Sequence, residues 1–90
     1  MEKWSEIKKT GKVISDVEAK IIERTADFVD ELIERRESLG WTQDQLANAA
    51  GLKQPAVARI EKLGNVPKFD TLLKLVLAMG MNIKLVTKEE

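Results

Sequence analysis

From Gln43 to Glu61 the chain reads Gln-x-x-Leu-Ala-x-x-x-Gly-Leu-x-Gln-Pro-Ala-Val-x-x-Ile-Glu. This pattern predicts two short helices joined by a tight turn. Thr42 with Gln45 three residues on is a capping box, in which the Thr hydroxyl accepts a free backbone N–H and the Gln side chain reaches back. The first helix therefore begins at Gln43, with Leu46, Ala47 and Ala50 on its inner face. A small residue at Ala47 lets a second helix cross closely, where a larger side chain would hold the backbones apart. Gly51, with no Cβ, can take the left-handed conformation that ends a helix and turns the chain sharply. Leu52 drops from that turn into the core. Pro55 suits the first turn of the next helix, which needs no amide partner there, and Val57 and Ile60 form its buried edge.

An ordinary pair of packed helices explains the apolar residues, the capping box and the glycine, but explains the outer face less well. Gln54, at the N-terminal end of the second helix, has an amide that can pair bidentately with an adenine edge. Pro55 and Ala56 are short enough for close approach, and Arg59 reaches guanine or phosphate. Gln43, Lys53, Lys62 and Lys68 flank that face as phosphate contacts, and Asn65, in the turn after the second helix, is placed to touch the DNA backbone with Lys62. The residues thus point to double-stranded DNA as a partner.

With these residues in place, positions from about 32 to 77 resemble the Xre or phage-repressor class of helix-turn-helix domains, through Gln43, Ala47, Gly51, Gln54, Val57, Ile60 and Glu61. The whole chain resembles, more loosely, the HigA-like antitoxins of type II toxin-antitoxin systems, which add an N-terminal segment before the domain and a short strand after it. The resemblance implies an all-α, repressor-like bundle of four to five helices with a central helix-turn-helix, an N-terminal arm and helix extension, and a short C-terminal β-strand. It also implies a homodimeric, DNA-binding antitoxin that represses its own operon and neutralises a basic, RNA-cleaving toxin. The alternative is a stand-alone Xre-type repressor. Lys53 and Lys68 depart from the family habit, since a Ser or Thr usually caps the helices that follow them. Lysine cannot accept the free N–H groups and its charge opposes the helix dipole, at a cost of up to about 1 kcal/mol each. Either each ammonium faces a DNA phosphate or the cap is satisfied by water.

Composition narrows the function further. Ninety residues make one small core with little surplus stability. Cysteine and histidine are both absent, which removes thiolate ligands, the usual zinc ligands and the commonest general base. No enzyme, metal site or cofactor is expected. Carboxylate runs such as Asp30, Glu31 and Glu34 read as a solvated helix face. No apolar run approaches the roughly 18 residues of a membrane span, so a cytoplasmic protein that avoids membranes is expected.

The formal charge is zero, unusual for a DNA binder, but its distribution is uneven. Residues 1–12 hold four Lys and two Glu, giving +2; residues 13–38 hold four basic and eight acidic residues, giving −4. Residues 41–68 hold four basic and two acidic residues, giving +2, and residues 69–90 balance three against three. The DNA face is therefore locally basic on a protein with an acidic back, which favours orientation over indiscriminate coating.

Three segments are expected: an arm and helix extension over residues 1–26, the helix-turn-helix domain over 27–80, and a strand and tail over 81–90. Trp4 and Ile7 lie in the arm, as a lid on their own domain or an anchor for a partner. Ser15 with Glu18 is a second capping box and predicts a helix of about 24 residues from Asp16, ended by Gly40. Its C-terminal half, 27–39, serves the core. Val17, Ile21 and Ile22 are then left needing another surface, a dimer mate or a toxin, unless the helix breaks near residues 25–27 and folds back. Phe69, Leu72, Leu73, Val76 and Leu77 predict a further helix against the core, ended by Gly80. Met81, Ile83 and Leu85 alternate with Asn82, Lys84 and Val86, the period of a half-buried strand, which requires a partner strand.

Overall fold

The computed structural model describes residues 12–64 and 66–87, with the backbone alone for residues 12–15. Among these residues there are four helices: α1 (Lys12–Ser38), α2 (Gln43–Ala50), α3 (Gln54–Glu61) and α4 (Phe69–Ala78). The expected all-helical architecture is present. Trp4, Ile7 and Asn65 lie outside the described residues, as does the tail from residue 88.

α1 is one continuous helix of 27 residues, about 40 Å long at 1.5 Å per residue. It is already formed at Lys12, ahead of the start expected at Asp16. A capping box marks a favourable start but does not enforce one, and no glycine or proline follows Gly11 to stop the helix running back through Ser15. The helix does not break at residues 25–27 either. The Thr25 hydroxyl donates to the Ile21 carbonyl one turn back at 2.6 Å, which satisfies it within the helix.

The core is built from Val29 and Leu32 of α1, Leu46 and Ala47 of α2, Val57 and Ile60 of α3, Leu75 and Val76 of α4, and Met79 just beyond it. α2 is the hub, packed on α3 and α4, while α1 packs on α3. Each large apolar side chain buried this way contributes about 1.5 to 3 kcal/mol of transfer free energy. Arg35 ties the first helix to the last by donating to the Met79 carbonyl at 3.0 Å. Only the C-terminal part of α1 shares in this core. Ile21 and Ile22 are exposed, Ile22 at 59%, and the molecule extends 45 × 31 × 18 Å because the helix outruns the bundle.

Two expectations fail at the C-terminal end. α4 buries Val76 and packs Leu72 against the core as expected, but it leaves Phe69 and Leu77 64% and 58% exposed and buries Leu75, which was not among the expected residues. Leucine and valine cover more than half of the circumference of this helix, opposite Asp70 and Lys74, so its pattern admits two neighbouring stripes, and packing on α2 selects one. The C-terminal strand is also not formed: residues 81–87 have no regular secondary structure. Met81 and Ile83 do pack against the core, whereas Leu85 is 95% exposed. Alternation creates the two faces of a strand, but a ladder needs a second chain segment, and no described residue pairs with this one.

Candidate nucleic-acid interface

The two central helices adopt the local geometry their sequence specifies. The Thr42 hydroxyl accepts from the Gln45 N–H at 3.1 Å, and the Gln45 side chain accepts from the Thr42 N–H at 2.8 Å. α2 closes at Gly51 in the left-handed region, φ 72°, with the Leu52 N–H donating to the Ala47 carbonyl at 2.8 Å. In this conformation a Cβ would crowd the neighbouring carbonyl at a cost of roughly 1 to 2 kcal/mol, which glycine avoids. Lys53 is extended and gives α3 no side-chain cap, and Lys68 likewise leaves α4 uncapped. Both helices nonetheless start where the sequence places them, α3 with Pro55 in its first turn.

α3 ends less conventionally. Leu63 has φ 57°, while its N–H donates to the Ile60 carbonyl at 3.0 Å and that of Gly64 to the Arg59 carbonyl at 3.0 Å. This is a glycine-type closure built on a leucine. Gly64 then passes so near α3 that a Cβ there would sit 2.9 Å from Cγ of Arg59.

The residues expected to meet DNA divide into a supported pair and an exposed rim. Gln54 is half-buried, its amide nitrogen donating to Oε1 of Gln43 at 2.8 Å. Gln43 in turn donates through Nε2 to Oε1 of Glu61 at 2.9 Å. Glu61 is gripped bidentately by Arg36, whose Nε lies 2.7 Å from Oε2 and whose terminal nitrogen lies 3.0 Å from Oε1. The other terminal nitrogen of Arg36 donates to the Trp41 carbonyl at 2.8 Å. Both side chains are largely withdrawn from solvent, 13% exposed for Arg36 and 9% for Glu61. Hydrogen bonding to Glu61 outweighs burial and raises the Arg36 pKa above its ordinary value. Paired in this way, Glu61 adds no net negative charge beneath the recognition face.

Around this pair, Gln54, Pro55, Arg59 and Lys62 line one shallow concavity, and Ala56, Arg59 and Lys68 line the next. Arg59 stands between them. Lys53, Arg59, Lys62 and Lys68 are all exposed, so their charge faces outward, as an electrostatic footprint requires. Arg36 is the participant sequence reasoning missed. Its partner Glu61 belonged to the motif, but no local spacing tied that carboxylate to a residue 25 positions away. Val17 is half-buried and Ile21 is exposed on the projecting helix, while Ile22 borders the turn after α3, lining a depression with Leu63, Gly64 and Val66. Among the described residues no three metal-ligating side chains cluster, and no helix is long and apolar enough to cross a membrane.

Comparison with known proteins agrees with this geometry. Residues 32–86 match the family model described as Helix-turn-helix, HTH_3. Over 83 residues the chain is 35% identical to an HTH-type transcriptional regulator of Haemophilus influenzae, covering 92% of this chain and 83% of the relative. Among solved structures, a chain of a toxin-antitoxin module from Streptococcus pneumoniae is similar, with a TM-score of 0.58 and 29% identity, over 99% of this chain and 96% of that one. A helix-turn-helix of this form, matched over more than half its length and shared with a regulator across most of both chains, places the protein in the HTH_3 (Xre-type) family of DNA-binding transcriptional regulators, which are not enzymes.

Proposed function

We propose that the protein is a sequence-specific operator-binding antitoxin that acts as a homodimer and represses its own operon. The observation that carries the DNA-reading part is the braced Gln43–Gln54 pair beside Pro55, Arg59, Lys62 and Lys68 on one outward face. Gln54 and Arg59 read base edges, Pro55 and Ala56 allow the approach, and Gln43, Lys53, Lys62 and Lys68 hold phosphates. Asn65, next in sequence after Gly64, is assigned to the DNA backbone with Lys62. A single module spans only a few base pairs, and a two-fold dimer places two such faces about 34 Å apart, one turn of DNA.

Mutants of the two groups fail differently. Gln54→Ala costs roughly 1 to 3 kcal/mol at the cognate site and relaxes preference at one base pair; Lys62→Ala weakens all sequences alike and flattens the salt slope by about one. Fluorescence anisotropy against operator and scrambled duplexes separates the two. Unchanged operator affinity and preference in Gln54→Ala would remove Gln54 from the base-reading role.

The toxin-binding part rests on the exposed Ile21 and Ile22 of the projecting half of α1, in a segment, residues 13–38, that carries a net −4, with Val17 on the same helix and Trp4 and Ile7 in the sequence before it. The similarity to a chain of a toxin-antitoxin module supports it. An acidic, partly apolar helix suits a basic ribonuclease, apolar burial supplying affinity and charge the association rate. The competing reading is a stand-alone repressor. A gene for a small basic protein directly beside this one favours the antitoxin, and its absence favours the repressor.

A further inference from the structure

We infer that Glu61, held by Arg36, is a specificity-determining positioning residue: it fixes which way round the Gln54 amide faces, and so which base Gln54 accepts. The inference rests on the base-reading role proposed for Gln54. A carboxylate can only accept hydrogen bonds, whereas a glutamine amide has one donating and one accepting end that exchange when it turns over. Oε1 of Glu61 already lies against Arg36 and accepts from Gln43, so Gln43 must turn its NH₂ toward Glu61. Its carbonyl oxygen is then the atom facing Gln54, and only the NH₂ of Gln54 can meet it, at 2.8 Å. Turning either amide over would set oxygen against oxygen.

The consequence reaches the DNA face. With one N–H engaged by Gln43, Gln54 keeps one N–H and one carbonyl oxygen in a set order. Adenine in the major groove offers the N7 acceptor and the N6 donor side by side, whereas guanine offers two acceptors, N7 and O6. A Gln54 locked in one orientation matches adenine and leaves its carbonyl unpaired against guanine; a Gln54 free to turn is held less firmly to that choice. Arg36 completes the device from the far end. It only donates, it grips both oxygens of Glu61, and its bond to the Trp41 carbonyl anchors the chain of hydrogen bonds to the segment between α1 and α2. Glu61 and Arg36 are too withdrawn to touch DNA themselves, so their effect passes through Gln43.

The test is selection of full-length protein on duplex DNA with a randomised central region, followed by sequencing, for wild type, Gln54→Ala, Glu61→Gln and Gln43→Met, with thermal unfolding of each. Gln54→Ala identifies the position that Gln54 reads. Glu61→Gln keeps the size but can donate as well as accept, so preference at that same position should fall from roughly tenfold to under about twofold, with other positions unaffected. Gln43→Met leaves the Arg36–Glu61 pair intact, so it serves if Glu61→Gln proves unstable, and it should erase the same preference. The inference is overturned if Gln43→Met, or a folded Glu61→Gln, keeps the Gln54-dependent preference and merely binds every sequence more weakly. If Gln54→Ala itself changes no position, the base-reading role falls first and the positioning role falls with it, a result distinct from the preceding one.

Discussion

Among the described residues, Leu63 is the non-glycine with a positive φ. At φ 57° a β-carbon crowds the backbone, at roughly 1 to 2 kcal/mol, and a glycine would relieve this at the cost of a more flexible unfolded chain. Leu63→Gly should therefore raise stability by up to about 1 kcal/mol, seen as a higher midpoint in urea unfolding; a lower midpoint would mean that its side chain contributes more packing than its partial exposure suggests. That side chain lines an apolar depression with Ile22, Thr25 and Val66. Other residue-scale features were legible in advance: Thr42 with Gln45, Gly51 and Pro55 each act within a few residues, so their neighbours in sequence are their neighbours in space. Arg36 and Glu61 were not legible as a pair, because 25 residues separate them and only the packing of α1 on α3 brings them together.

At the scale of elements, α3 is eight residues long, too short to hold itself together in water. Its position comes from α2, and the small side chain of Ala47, 1% exposed, sits in the core that joins them. Ala47→Leu should force the two helices apart, costing about 1 to 3 kcal/mol of stability and weakening operator binding more than that stability loss alone explains. Wild-type operator affinity in a folded Ala47→Leu protein would show that α3 tolerates the displacement. α4 illustrates the opposite degree of legibility. Its existence and its end at Gly80 were readable from composition, but the buried stripe was not, because a helix apolar on most sides does not encode which side faces inward.

For the molecule as a whole, the described residues leave apolar surface uncovered in three places: Ile21 and Ile22 of α1, the stretch that includes Leu63, Val66, Phe69 and Leu77, and Leu85 with Val86. Leu85 and Val86 are almost fully exposed, beyond a Met81 and Ile83 that pack against the core. If this segment pairs with its copy in a second subunit, Leu85→Asp with Val86→Asp should leave the monomer fold intact and weaken the dimer at least about tenfold, because each carboxylate would need a partner or water at the contact. Sedimentation analysis of the double mutant reads this directly, and an undiminished dimer would put the contact on another surface. At the other end, Ile21→Asp should leave thermal stability within about 0.5 kcal/mol, as expected for an exposed site, while shortening the lifetime of a toxin complex. In a co-expression growth assay, a protein lacking residues 1–25 that still rescued growth would exclude this segment as the main toxin-binding surface.

What the sequence alone determined was local or periodic: the capping box, the two central helices, the turn between them, and the outward placement of Lys53, Arg59, Lys62 and Lys68. Those features follow from interactions spanning four or five residues and from a spacing that matches the helical repeat. The tertiary structure decided the rest. It chose the buried stripe of α4, carried α1 unbroken past the bundle, left residues 81–87 without a strand partner, and joined Arg36, Glu61, Gln43 and Gln54 into one chain of hydrogen bonds. Each of these depends on which surfaces meet across long separations in sequence, and donor, acceptor and apolar side chain acquire their roles only from what they meet.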